Sequence, residues 1–181
     1  MKYYLNNIWI INFENKKVLF IDLDSTLIKT ISGKTFPEDI TDFRIQLPVL
    51  DKIVEKLPNL KRFFIVTNQG GLKNDDAECS FKAKLYAIDD ICESYLAINL
   101  NNFYGSDSTY CPSMDKSNPY RKPNTAMLES LCTRWNVEES KEECIMIGDA
   151  SGKPGDFSDS DKKCAENFGI DYIDVRDFLE L

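Results

Sequence analysis

Three short apolar runs in this 181-residue chain end in polar clusters. Val18 to Ile21 leads into Asp22-Leu23-Asp24-Ser25-Thr26, Phe63 to Val66 into Thr67-Asn68-Gln69-Gly70-Gly71, and Cys144 to Ile147 into Gly148-Asp149-Ala150-Ser151-Gly152. A fourth polar element, Arg121-Lys122-Pro123, precedes a helical pattern. The chemistry open to these residues is narrow. Asp22 and Asp149 offer hard oxygen ligands without cysteine or histidine, which suits Mg²⁺, an ion that takes one or two carboxylates and completes its shell with water and phosphate. Such an ion offsets the repulsion between a carboxylate nucleophile and a dianionic phosphate. Thr67, Asn68 and nearby backbone N–H groups supply neutral donors, and Lys122 a positive charge, for phosphoryl transfer. Asp24, two residues past Asp22 in the same turn, can protonate a leaving oxygen and later deprotonate water. Paired carboxylates also fit glycoside hydrolysis, but that chemistry has no use for threonine, lysine and metal around one phosphate-sized hole.

These groups need a scaffold that gathers them. The buried runs alternate with amphipathic patterns: Val49, Leu50, Ile53, Val54 and Leu57 after Pro48; Phe81, Leu85, Ile88, Ile91 and Tyr95; Met127, Leu128, Leu131 and Trp135; and a helix from about Ser158 to Gly169. Pro48 suits a first helical turn and Gly169 a helix end. Tyr172 and Ile173 give a last short strand. Strands alternating with helices predict an α/β fold with a mainly parallel sheet. Ligands of such sheets bind beyond the carboxyl ends of the strands, so the polar clusters are expected at one edge. Ile8 to Phe13 and Lys17 to Ile21 read as a hairpin across Glu14-Asn15-Lys16. Residues of about 27–47, polar and broken by Gly33 and Pro37, read as a long flap. With no repeat or Pro/Gly linker, residues 1–181 read as a single domain.

Composition removes whole classes of enzyme. The chain has no histidine, which excludes Ser-His-Asp and Cys-His catalysis, HExxH metallohydrolases and His-based zinc sites. The six cysteines never stand in CxxC spacing, and without a recognisable secretion signal they read as reduced core thiols. No apolar run approaches the length of a membrane span. An intracellular protein is expected, nuclear if eukaryotic and otherwise cytoplasmic. A net charge of −8 argues against a broad nucleic-acid-coating surface and permits a local site for one phosphate. No partner protein is indicated.

DLDST, VTNQG, RKP and IGDASG, in this order, resemble the four motifs of the haloacid dehalogenase-like phosphatase superfamily. SGKTFP (32–37), DFRI (42–45), FKAK (81–84), RKPNTAM (121–127), and GDASGKP followed by DFSDSD (156–161) are more closely similar to the 3′-phosphatase domains of polynucleotide kinase-phosphatases. Together they cover most of residues 17–180. The resemblance implies a three-layer α/β/α sandwich, Rossmann-like, with a short flap and no large cap domain. It implies Asp22 as the nucleophile that becomes aspartyl-phosphate, Asp24 as general acid and base, Thr67 and Asn68 as phosphate binders, and Lys122 as the link between phosphate and nucleophile. Asp149 would bind Mg²⁺ with Asp22 and the Asp24 carbonyl, and Asp156 would support the ion's water shell. Lys34, Phe36, Arg44 and Arg121 would grip a nucleic-acid 3′-phosphate end, DNA first among them. Ser25 stands where the superfamily usually has glycine, and Gly105 to Tyr120 is longer and more polar than in the family relatives, so that rim has no assigned role.

Blander readings stand beside these. Thr67-Asn68 are ordinary turn residues by type, Lys122 suits a helix start, and Phe36 and Phe43 serve equally as flap anchors or stacking surfaces. Lys82 and Lys84 read as a solvated helix face, and Trp135 as core. Ser32-Gly33-Lys34-Thr35 resembles the tail of a phosphate-binding P-loop but has Ile28 where the first glycine is needed, and Gly148 to Lys153 has the wrong spacing with Pro154 in place of Ser/Thr, so no kinase site is expected. The expected activity is 3′-phosphate removal in DNA end processing. The alternatives are hydrolysis of a small sugar or amino-alcohol phosphate and a non-catalytic scaffold of the same fold.

Overall fold

The computed structural model describes residues 4–5, 8–9, 11–34, 37 and 39–181. Strands β1 (Tyr4–Leu5) and β2 (Ile8–Trp9) pair antiparallel with each other. Among the described residues the expected hairpin between Ile8–Phe13 and Lys17–Ile21 does not form: Phe13–Asn15 is a 3₁₀ turn, and β3 (Val18–Ile21) takes two parallel partners instead. All four β3 residues are buried, which a central parallel strand requires and a hairpin arm does not.

Strands β4 (Ile28–Lys29) and β5 (Arg44–Ile45) form the two antiparallel arms of the flap. Its base is tied to the body where Gln46 N–H donates to the Leu27 carbonyl at 2.9 Å and the Gln46 amide to the Thr26 carbonyl at 2.6 Å. Inside the flap, Asp42 accepts from Ser32 N–H and Ser32 Oγ, both at 2.7 Å. The flap is thus a short ribbon with a cross-braced loop.

Helix α1 (Leu47–Lys56), strand β6 (Arg62–Asn68), helix α2 (Asp75–Asn99), strand β7 (Gly105–Cys111), helix α3 (Ala126–Arg134), strand β8 (Cys144–Gly148), helix α4 (Ser160–Phe168), strand β9 (Asp171–Asp174) and helix α5 (Val175–Leu179) complete the chain. Five strands form one parallel sheet in the order β7-β6-β3-β8-β9. Leu19, Phe63 and Ile145 share a register, and Phe20, Phe64 and Met146 the next. Successive side chains therefore feed opposite faces. Leu19, Ile21, Phe63, Ile65, Ile145 and Ile147 pack with buried residues of α1, α2 and α5. Val18, Phe20, Phe64, Val66, Cys144 and Met146 pack with those of α3 and α4. The result is the expected three-layer sandwich, with the flap beside it.

Strand β7, in the sequence GSDSTYC, has no apolar run and is not legible as a strand. Small residues are needed there because neighbours press close: a Cβ at Gly105 would lie 2.9 Å from the Trp135 ring. All six cysteines are free. Among the described residues, no helix is long and apolar enough to cross a membrane.

Candidate active site

Asp22 follows the last residue of β3, and its N–H extends the ladder to the Ile147 carbonyl at 2.9 Å. Its carboxylate emerges at the carboxyl edge of the sheet, where Lys122 meets it. The Lys122 ammonium lies 2.6 Å from Asp22 Oδ1, 2.8 Å from Asp161 Oδ1 and 2.8 Å from the Val66 carbonyl. Three acceptors for three N–H donors fix this nearly buried group completely. Asn68 holds the lysine's backbone from both sides, accepting from Lys122 N–H at 2.9 Å and donating to its carbonyl at 3.0 Å. The Asn68 side chain thus positions Lys122, with one N–H and its carbonyl oxygen engaged.

Asp22, Asp149 and Asp161 present carboxylate oxygens that all lie within 4.8 Å of one another. Burial first, then the charges of Asp161 and Asp149, push the Asp22 carboxyl well above its ordinary range, against the opposing pull of Lys122. Burial and then Asp161 push Asp149 up to about 6. Burial lowers Lys122, but Asp161 and Asp22 more than offset this and hold the ammonium charged. Three acids facing one ammonium leave a local excess of negative charge in a low-dielectric site, with hard oxygen donors only. That donor set fits Mg²⁺ and offers nothing to a soft metal. Nothing in the sequence singles out Asp161 as a site residue. It lies in a polar run after Asp149, and only the fold shows that it is buried.

Asp24 lies one turn away with its Oδ2 accepting from Gln69 Nε2 at 2.5 Å, and the same amide nitrogen is 3.0 Å from Thr67 Oγ1. Gln69 thereby links the acid to the buried threonine at the end of β6. Ser25 has a φ of 62°, in the left-handed region that glycine adopts at least cost. This explains the glycine that the superfamily places here.

The loop after β8 is held from within. Asp161 Oδ2 accepts from Ala150 N–H at 3.1 Å, and a Cβ at Gly148 would lie 2.3 Å from that same oxygen. Asp156 Oδ2 accepts from Ser151 N–H, Ser151 Oγ and Lys153 N–H at 3.1, 2.8 and 2.9 Å. Arg176 clamps it from outside, 2.8 Å from Asp156 Oδ1, while also pairing with Asp174. Asp156 therefore organises the loop and lies outside the three-acid group.

The candidates for nucleic-acid contact are dispersed. Lys34 and Arg44 line a cleft of about 350 Å³ with Asp24, Ser25, Lys29 and Asp42. Arg121 reaches the Ser113 carbonyl at 2.7 Å and so braces the 112–120 loop beside Gly70. Phe36 lies outside the described residues. Phe43 is half-buried against the core and carries the Lys84 ammonium 4.9 Å above its ring, so it anchors the flap. Lys84 is itself buried, contrary to the solvated helix face expected for it, because it shares the inward side of α2 with Phe81 and Ile88. A second concavity of about 380 Å³, between Tyr86, Asp89, Asp90 and Glu93 on α2, contains none of these groups.

Residues 17–178 match the model of the polynucleotide kinase 3 phosphatase family. The chain is 30% identical over 168 residues to a bifunctional polynucleotide phosphatase/kinase of Schizosaccharomyces pombe, across 92% of this chain and 38% of that protein. It is 29% identical over 172 residues to a 20.8 kDa protein of Autographa californica nuclear polyhedrosis virus, across 91% of this chain and 86% of that protein. The chain thus spans under two fifths of the yeast relative's length. Among solved structures, D,D-heptose 1,7-bisphosphate phosphatase from B. bronchiseptica, complexed with magnesium and phosphate, superposes with a TM-score of 0.54 at 20% identity, over 91% of this chain and 96% of that one. At that identity the likeness is one of fold.

Proposed function

This chain belongs to the polynucleotide kinase 3 phosphatase family, and from that premise we propose that it is a Mg²⁺-dependent phosphomonoesterase that removes 3′-phosphates from nucleic-acid ends. The observation that carries the reading is the charge triangle of Lys122 with Asp22 and Asp161, at 2.6 and 2.8 Å, beside Asp149.

Asp22 attacks phosphorus, forming a carboxylate–phosphorus bond as the bond to the 3′-oxygen breaks. Asp24 gives that oxygen its proton. In the second half, water attacks the aspartyl-phosphate, its proton passes to Asp24, and inorganic phosphate leaves with Asp22 restored. Lys122 stays charged throughout and faces both the nucleophile and the oxygens where charge develops. Thr67 adds a hydroxyl donor. Asp22, Asp149 and the Asp24 carbonyl would hold Mg²⁺. Both Asp161 oxygens already accept, from Lys122 and Ala150, so that residue serves to orient its neighbours. When bound, the ion supplies positive charge that lets an anionic nucleophile approach an anionic phosphate.

The test is kcat/KM on a 3′-phosphorylated oligonucleotide and on small phosphate esters, with Mg²⁺ and after chelation. A preference for the oligonucleotide of about tenfold or more, about 1.4 kcal/mol, supports the reading. The net charge of −8 favours a second one, a small sugar or amino-alcohol phosphate. Equal or better turnover of such esters would replace the first.

A further inference from the structure

The Lys84 ammonium is a cation with nothing assigned to it. Lys84 is 6% exposed, on the flap-facing side of α2, and its charge rests over the Phe43 ring at 4.9 Å. Asp24 and Asp42 are its electrostatic neighbours, yet among the described residues no carboxylate or hydrogen-bond acceptor pairs with it. Those two acids are otherwise engaged, Asp24 by Gln69 and Asp42 by Ser32. A lysine this enclosed, held by no ion pair, is costly to keep charged. Burial indeed depresses its proton affinity, the two nearby acids opposing. Such a group is worth keeping where a ligand brings the missing charge.

Its place indicates which charge. Asp24 and Asp42 both line the cleft that also holds Lys29, Lys34 and Arg44. If Asp24 protonates the leaving oxygen, the rest of the substrate continues past Asp24 and along this cleft. The first charged group beyond the leaving nucleoside in a polynucleotide is the internucleotide phosphodiester. We propose that Lys84 is a subsite for that phosphodiester, so that the site distinguishes a polynucleotide end from a free mononucleotide. The inference rests on the functional reading above.

The experiment compares three substrates: a nucleoside 3′-phosphate, a dinucleotide 3′-phosphate, and that dinucleotide with a neutral methylphosphonate at its internal linkage. Each protein is scored by its own ratio of dinucleotide to nucleoside kcat/KM, which cancels any general effect on turnover. In the wild type we expect a ratio of about ten or more, the scale of a hydrogen bond to a charged group, and a ratio near one with the methylphosphonate. Lys84→Met, which removes charge at similar volume, should bring the phosphodiester ratio below about two, with an unchanged or higher melting temperature. Lys84→Arg should retain part of it. A Lys84→Met protein that keeps the full ratio, or a wild type that accepts the methylphosphonate equally, overturns this assignment alone. A wild type that hydrolyses small esters faster than any 3′-phosphorylated nucleotide overturns the functional reading, and this inference with it.

Discussion

The floor of the site and the flap above it are built by opposite rules. On the floor, Lys122 has three acceptors, Asn68 grips its backbone twice, and Asp161 spends both oxygens on Lys122 and Ala150. Such saturation is preorganisation, and it suits the part of the proposed substrate that never varies, its phosphate monoester. The flap offers the exposed cations Lys29, Lys34 and Arg44 around a cleft, with Lys84 buried behind. Exposed charges act weakly and are screened by salt. The floor should therefore govern the chemical step for every substrate, and the flap only which substrate is preferred.

The largest test of that division is Asp22→Asn. Loss of the proposed nucleophile should cut kcat at least about 10⁴-fold on every substrate. Lys122 keeps Asp161 as partner and one of three crowded acids is neutralised, so the metal-free protein should melt no lower than wild type. Residual turnover within a hundredfold of wild type would move the nucleophile elsewhere; a large drop in melting temperature would make Asp22 a structural residue.

Much of the floor is legible in the sequence because the strands that present it are continuous apolar runs. The runs before Asp22, Thr67 and Asp149 are strands buried on both faces, so the residue after each must emerge at the same edge. What is illegible depends on tertiary pairing. Asp161 looks like any acid in a polar run until α4 folds it beneath Gly148. Strand β7 is polar because Gly105 and its serines sit under close-packed neighbours, and hydropathy cannot distinguish that from a loop. Lys84 did leave a signal. It lies three residues after Phe81 and four before Ile88, on the inward stripe of α2, but its charge argued for solvent. The first hairpin is not the one that local sequence suggests, because neighbours in the chain are not neighbours in this sheet: β3 lies between β6 and β8.

A smaller effect on the same floor comes from Gly148→Ala. The added Cβ would meet Asp161 Oδ2 at 2.3 Å, so that carboxylate must move and Lys122 with it. A displacement of about 1 Å can cost about 100-fold in rate, and a fall in kcat of about 10- to 100-fold is expected, equal for oligonucleotide and small ester. A loss confined to oligonucleotides would break the division between floor and flap.

Protons give a gentler probe. In the metal-free protein Asp149 is pushed up to about 6 by burial and by Asp161, and Asp22 moves in the same direction. The folded state then binds more protons than the unfolded chain between about pH 4 and 6. Stability of the metal-free protein should fall as pH rises through that window, by about 2 °C or more in melting temperature, and level off above it. Mg²⁺ requires the ionised carboxylates, so its apparent affinity should rise over the same range and its addition at pH 7 should restore the loss. Asp149→Asn should flatten the affinity curve and lessen the fall in stability, a fall that Asp89, also pushed up to about 6 by burial, shares. A wild-type melting temperature that rises steadily from pH 4 to 7 without metal would remove the crowded-acid account.

The smallest expected effect sharpens the contrast from the other side. Arg44 is exposed on the return arm of the flap and lines the cleft beside Asp24. Replacing it with glutamine removes one solvated charge, worth about 0.2–1 kcal/mol in an exposed pair. That predicts a rise of about 1.4- to fivefold in KM for a 3′-phosphorylated oligonucleotide, with kcat unchanged and KM for small esters unmoved. Because the lost contact is electrostatic, the difference from wild type should shrink as salt rises from 50 to 200 mM. If Arg44→Gln instead lowers kcat on every substrate, the flap takes part in the chemical step, and the two regions are one machine.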